Sequence, residues 1–335
     1  MKTWIFATAA AAALALVGPA AAQAPIVIKF SHVVTPDTPK GKGALKFQEL
    51  AEKYTNGKVK VEVYPNSSLY KDKEELEALQ LGAVQMLAPS LAKFGPIGVK
   101  EFEVFDLPFI LPDKAALRRV TDGALGKKLL KLLEPKGITG LAYWDNGFKG
   151  MSANRPLHMP QDFRGLKMRI QSSKVLEAQM RALGAIPQVM AFSEVYQALQ
   201  TGVVDGTENP PSNEYTQKMH EVQKYTVLSD HGYVGYAVIV NKKFWEGLPA
   251  DVHKALQEAI DEASKYERSI AQKENDDALE KIREAKTTEI YVLPAAEKAA
   301  WRQAMLPLYK QYESSVGKDN LDAIEKIVAE SSKKK

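Results

Sequence analysis

The 335-residue chain contains no cysteine. That absence rules out disulfides, thiolate metal sites, a cysteine nucleophile and a lipidated cysteine behind a leader. The five histidines, at positions 32, 158, 220, 231 and 253, form neither HxxxH nor HxH, so metal-ligand spacing is missing too. There is no GxSxG elbow, no GxxxxGK[ST] phosphate loop and no GxGxxG fingerprint, which leaves no motif for hydrolytic, nucleoside-triphosphate or dinucleotide chemistry. Beyond residue 24 no uncharged stretch is long enough for a transmembrane helix. A dominant charge sign is also lacking. Lys and Arg number 45 against 41 Asp and Glu, and a formal net charge of +4, well mixed along the chain, argues for neither nucleic acid nor an anionic membrane. The one purely cationic run, from Ser331 to Lys335, reads as a solvated end. An enzyme, a cofactor and a bound metal are therefore not expected.

What is present begins with a leader. Lys2, an apolar run from Ile5 to Val17 and the small-residue site Ala22-Gln23-Ala24 read as a cleavable signal peptide over Met1 to Ala24. The mature protein then starts at Pro25, and a soluble periplasmic location is expected. About 310 remaining residues exceed what one hydrophobic core organises, so two domains with a ligand cleft between them are expected.

The segments Glu75 to Gln85 and Val195 to Asp205 both contain ALQxGxV. Each reads as a helix stopped by a glycine, Gly82 or Gly202, where a left-handed cap is sterically cheap, and then a short strand. Such an echo in both halves suits two similarly built α/β lobes. In the first lobe, Val27 to Ser31 and Lys58 to Tyr64 read as strands, the latter alternating valines with charged residues as an edge strand does. Thr38 and Pro39 supply an N-cap and first turn for a helix reaching Tyr54. Strand 86–89, a helix over 114–133 and strand 138–144 follow. In the second lobe, strands 166–170 and 186–190 alternate with helices 173–183 and 193–200, which predicts a mostly parallel sheet. The apolar run 233–240 reads as a strand returning through the first lobe. Helix 250–285 has neither glycine nor proline and is long enough to back both lobes, with two more helices over 295–314 and 318–331. The expected fold class is α/β, with two lobes of mixed, mostly parallel sheets flanked by helices and one spine helix. Lobe I takes residues 25–146 plus 236–274, and lobe II takes 147–235 plus 275–335.

The motifs GLKMRI from Gly165, DGTENPP from Asp205, WDNGFKGMSANRP from Trp144, FDLPF from Phe105 and GYAVIVNKKFWEGLP from Gly235 resemble the extracytoplasmic solute receptors of TRAP transporters. The segments FSHVVTPDTPKG from Phe30 and YPNSSLYKDKEELEALQLGAVQML from Tyr64 resemble the C4-dicarboxylate branch of that family, the DctP type. The resemblance implies a two-lobed receptor with a spine helix. It also implies a small and a large membrane subunit as partners and transport driven by an ion gradient. It places a ligand carboxylate on Arg169, whose planar guanidinium offers two parallel donors that a lysine cannot copy. It places Asn209 on the same ligand from the next loop and Phe192 over it.

Lys149 occupies a position where many relatives carry a second arginine, and a second cation there would suit the distal carboxylate of a diacid. Each of these residues has a plainer reading. Arg169 is an exposed ion-pair arginine, Lys149 a solvated loop lysine, Asn209 before Pro210 an ordinary turn and Phe192 core packing. His32, Lys73 and Ser90 in the first lobe, with Gln171 and Tyr236 from the second lobe and the return strand, are further candidates because they border elements whose ends face the cleft. Each of them, taken singly, also reads as structural. The expected function is capture of a C4-dicarboxylate such as succinate, malate or fumarate by a monomeric receptor. The alternatives are a receptor for a 2-oxo acid or sugar acid, a receptor serving an ATP-driven importer or a sensor kinase, and a secreted enzyme.

Overall fold

The computed structural model describes residues 24–332. The signal-peptide reading therefore falls, except for Ala24, outside the described residues, as do the last three of the tail. In chain order the elements are β1 (Ile26–Ser31), α1 (Pro39–Tyr54), β2 (Val59–Tyr64), α2 (Glu75–Gln80), β3 (Met86–Leu87), α3 (Lys114–Thr121), α4 (Ala124–Lys131), β4 (Ile138–Phe148), β5 (Gly150–Ala153) and β6 (Lys167–Ile170). They continue with α5 (Lys174–Ala182), β7 (Ile186–Val189), α6 (Val195–Gln200), β8 (Gly206–Asn209), α7 (Pro211–Thr216), β9 (Tyr225–Leu228), β10 (Tyr233–Asn241), α8 (Lys242–Glu246), α9 (Ala250–Ala285), β11 (Glu289–Val292), α10 (Ala295–Met305), α11 (Pro307–Val316) and α12 (Lys318–Ser332).

Two sheets form. The first has the order β2-β1-β3-β10-β4 and the second β11-β9-β5-β8-β6-β7. Strands β2, β1 and β3 run parallel, while β10 is antiparallel to both β3 and β4. In the second sheet β7, β6 and β8 are parallel, β5 opposes β8 and β9, and β11 is parallel to β9. Antiparallel return strands thus enter both sheets, and the first is parallel only over three strands. β2 lies at an edge with Val59 and Val61 inward and Lys60 outward, as its alternation predicts. All nine residues of β10 are buried, which fits a central strand covered on both faces.

Local chemistry explains the elements that hold the cleft. Thr38 Oγ1 accepts from Gly41 N at 3.1 Å and Pro39 opens α1, so the helix starts beside the end of β1. Gly82 and Gly202 adopt φ of +78° and +72°, the left-handed geometry that ends both ALQ helices. The expected helix over 114–133 is broken. Asp122 N donates the closing bond to Arg118 O, extended Gly123 starts α4, and the two short helices fold against the first sheet separately.

Besides the passage through α9 from β10 to β11, the chain passes between the sheets at two adjoining points: Lys149, between β4 and β5, and 229–232, between β9 and β10. Lys149 N donates to Gly232 O at 2.9 Å, so the two crossings are bonded to each other. Helix α9 backs them. Its first half packs Leu256, Ile260 and Ala263 with Phe47 and Trp144 of the first-sheet core, and further along Asn275 accepts from Ser212 N at 3.0 Å and donates to Asn146 O at 2.8 Å. A second core, with Met168, Ile170, Met180, Trp301 and Met305, fills the other lobe. The C-terminal segment does not stay wholly with the second lobe. Leu321 and Ile324 of α12 bury against the cluster containing Leu117 and Val120 of α3, which draws that helix back to the first sheet.

Candidate functional site

A narrow cavity, partly open to solvent, lies between the lobes and is walled by both of them. Its polar lining comes from Lys40, Asp72, Ser90 and Lys93 on the first-lobe side and from Arg169, Gln171, Asn209 and Asn213 on the other. Val33, Val34, Phe192, Val234 and Tyr236 complete the wall.

Arg169 reaches the cavity from β6, but it is 1% exposed, not the solvated arginine of the plainer reading. Its Nε and Nη2 donate to Met190 O at 3.1 and 2.9 Å, which locks the guanidinium plane. Of five N–H donors, three remain on Nη1 and Nη2, enough for an end-on pair of bonds to one carboxylate. The guanidinium carbon lies 5.6 Å from the Phe192 ring centroid, within cation–π range. Asp72 Oδ2 sits 3.7 Å from Arg169 Nη2 and 3.5 Å from Lys93 Nζ, and it accepts from Phe192 N at 3.1 Å across the cleft. Burial pushes the Asp72 carboxyl up, yet Lys93 and Arg169 outweigh it and hold the group below its ordinary range.

Lys93 Nζ is 2.7 Å from Glu75 Oε1, and both side chains are buried. Lys40, in the first turn of α1, donates to Ala88 O at 3.0 Å and lies 3.9 Å from the centre of the Tyr236 ring. Burial, with the neighbouring Lys93 charge, lowers its ammonium to about 7. Ser90 and Gln171 hydrogen-bond across the cleft, and Ser90 pairs with Tyr236 as an isolated antiparallel bridge. Asn209 is the last residue of β8, where its Oδ1 accepts from Asn213 Nδ2 at 3.4 Å, so it ends a strand instead of forming the expected turn. Tyr236 Oη accepts from Asn146 Nδ2 at 2.8 Å.

Six candidates thus come together around one cavity: Arg169, Asn209, Phe192, Ser90, Gln171 and Tyr236. Three do not. Lys149 Nζ lies 2.7 Å from Glu208 Oε1 with both side chains buried, and His231 Nε2 is 2.9 Å from Glu208 Oε2, so the lysine serves the crossing strands and not the cavity wall. A buried ammonium takes the carboxylate beside it. His32 is fully enclosed behind β1 with neither ring nitrogen hydrogen-bonded, and burial followed by the Lys40 charge lowers it to about 3, leaving a neutral imidazole. Lys73 is exposed on a neighbouring groove, one residue from the position that does face the cavity, Asp72. Lys40, Lys93, Asp72 and Asn213 were missed. The only signal for Lys40 was its place in the helix turn that follows β1, whose end faces the cleft.

Residues 30–315 match the bacterial extracellular solute-binding protein family 7, DctP. The chain belongs to that family. It is 68% identical over 322 residues to the C4-dicarboxylate-binding periplasmic protein DctP of Rhodobacter capsulatus, covering 96% of each chain. Among solved structures, a TRAP periplasmic solute-binding protein of Shewanella oneidensis with bound succinate superposes with a TM-score of 0.89 at 44% identity, covering 91% of this chain and 99% of the other. One from Pseudomonas aeruginosa with bound L-malate gives 0.83 at 47% identity, covering 86% and 100%. As a family 7 member the protein is a solute-binding receptor and not an enzyme. No helix among the described residues is long and apolar enough to cross a membrane.

Proposed function

We propose that this receptor captures a C4-dicarboxylate such as succinate, malate or fumarate in the interlobe cavity, in the periplasm, and delivers it to the small and large membrane subunits of a TRAP transporter. The observation that carries the proposal is Arg169, buried and clamped by Met190 O, with the outer edge of its guanidinium unused at a cavity lined from both lobes. The relatives named for C4-dicarboxylates and the neighbours holding succinate and malate support the same ligand class.

In this proposal Arg169 forks onto one carboxylate. Asn209, Gln171 and Ser90 supply further polar contacts, and Phe192 and Tyr236 cover the apolar carbons. Because the lining comes from both lobes, the ligand stabilises the closed form by its differential affinity for it. Magnitude allows this: a ligand of about eight heavy atoms has a ceiling of roughly 12 kcal/mol, and micromolar affinity needs about 8. The leader read at Met1 to Ala24 sends the receptor, as a monomer, to the periplasm.

Calorimetry of the purified protein with succinate, malate, fumarate, butyrate, a 2-oxo acid and a sugar acid tests the proposal. Diacids are expected to bind most tightly, and equal affinity for succinate and butyrate would remove the diacid assignment. N-terminal sequencing of the exported protein should begin at Pro25, and an intact leader would contradict export by cleavage.

A further inference from the structure

The relatives named for C4-dicarboxylates point to a ligand class but leave open how this cavity tells a diacid from a monoacid. Among the described residues three lysines near the lobe junction, Lys40, Lys93 and Lys149, are buried, and their partners separate them. Lys149 is neutralised by Glu208 at 2.7 Å and does not line the cavity. Lys93 lines it but is held by Glu75 at 2.7 Å and approached by Asp72 at 3.5 Å. Lys40 also lines it and has no carboxylate ion-pair partner among the described residues. Its one hydrogen bond is to Ala88 O at 3.0 Å, and the Tyr236 ring lies 3.9 Å away. An ammonium has three donors, so two N–H groups of Lys40 are unspent.

We propose that Lys40 is the specificity-determining cation of this receptor, binding the second carboxylate of the ligand while Arg169 holds the first. The inference rests on the diacid function proposed above. A buried ammonium with only a carbonyl and an aromatic face for company is poorly compensated for the loss of water. Burial and then the Lys93 charge outweigh Glu75, Asp72 and Glu267 and leave its pKa well below that of a free lysine. A carboxylate supplied by the ligand relieves this strain, whereas a neutral group of the same shape leaves Lys40 as it was. Arg169 belongs to the second sheet and Lys40 to the helix after β1, so one diacid gripped at both ends also ties the two lobes together.

The test compares succinate with succinamate, its monoamide, which has nearly the same shape and one charge fewer. By calorimetry the unmodified receptor should prefer succinate at least tenfold, the gap between a charge-assisted and a neutral hydrogen bond. Lys40→Met should bind succinamate about as well as the unmodified protein does and lose most of the preference, while the exposed-site control Lys73→Met keeps it. A Lys40→Met receptor that still prefers succinate as strongly overturns the assignment. Should that variant not fold, crystals of the unmodified receptor with succinate decide. Lys40 Nζ within about 3 Å of the carboxylate remote from Arg169 supports the inference. That carboxylate paired with Lys93, or reaching only solvent, overturns it. Failure of the unmodified protein to bind any diacid would instead remove the function on which the inference rests, so the two failures are distinct.

Discussion

Lys149 and Glu208 are bound at 2.7 Å where the chain crosses from one sheet to the other, with His231 on the second carboxylate oxygen at 2.9 Å. Burial raises the Glu208 carboxyl, but Lys149 and His231 outweigh it and bring the group to about 2. A carboxylate depressed on folding adds stability above its unfolded value of about 4.5 and loses it as pH falls toward 2. Lys149→Met strands that charge. The variant should lose about 3 to 5 kcal/mol at pH 7 by denaturant unfolding. Adding Glu208→Gln should return a large part of it, and a Lys149→Met receptor as stable as its parent would contradict the structural role.

The architecture was legible because its signals were local. Helix α9 begins and ends where its unbroken pattern does, and Thr38, Gly82 and Gly202 cap as their chemistry dictates. A short strand after Gly202 was legible and is β8, but β5, β9 and β11 were not: β5 is buried throughout, and β9 and the half-exposed edge strand β11 are too short to show alternation. At the site, Arg169 was reached through its motif. Lys40 and Lys93 were lost because a lysine that ends up buried looks, in sequence, like one on a solvated helix or loop. Lys149 is the reverse case: a cation at the motif position, already spent on Glu208 six elements later in the chain.

Arg169→Lys should weaken diacid binding by about 1 to 3 kcal/mol, because the charge persists but the planar edge left beside the Met190 clamp is gone. Calorimetry reads this directly. An unchanged dissociation constant would place the carboxylate elsewhere.

His32 is buried and neutral, with burial and then Lys40 lowering it from 6.5 to about 3. The unfolded chain protonates this imidazole below about pH 6.5 while the native protein does not. The native state is thus destabilised progressively as pH falls toward 3, by at most about 1.4 kcal/mol per unit. Between pH 7 and pH 5, His32→Gln should lose about 2 kcal/mol less than the parent protein, measured by urea unfolding at each pH. Identical pH slopes for the two proteins would show that His32 does not titrate on unfolding.

Glu214 on α7 gives the opposite sign. Its carboxyl is enclosed, accepts from the Thr226 hydroxyl, and is raised from 4.5 to about 7 by burial, a displacement the hydroxyl only partly offsets. A carboxyl raised on folding contributes full stability below the unfolded value near 4.5 and loses it as pH climbs to about 7, since the unfolded chain gives up a proton that the native site retains. Glutamine keeps the shape and removes the titration, so Glu214→Gln should match its parent near pH 4.5 and exceed it by roughly 3 kcal/mol at pH 8. Thermal unfolding at both pH values checks this. A constant difference across the range would mean that the charge of Glu214 is compensated within the fold and that its burial costs the native state nothing as pH rises.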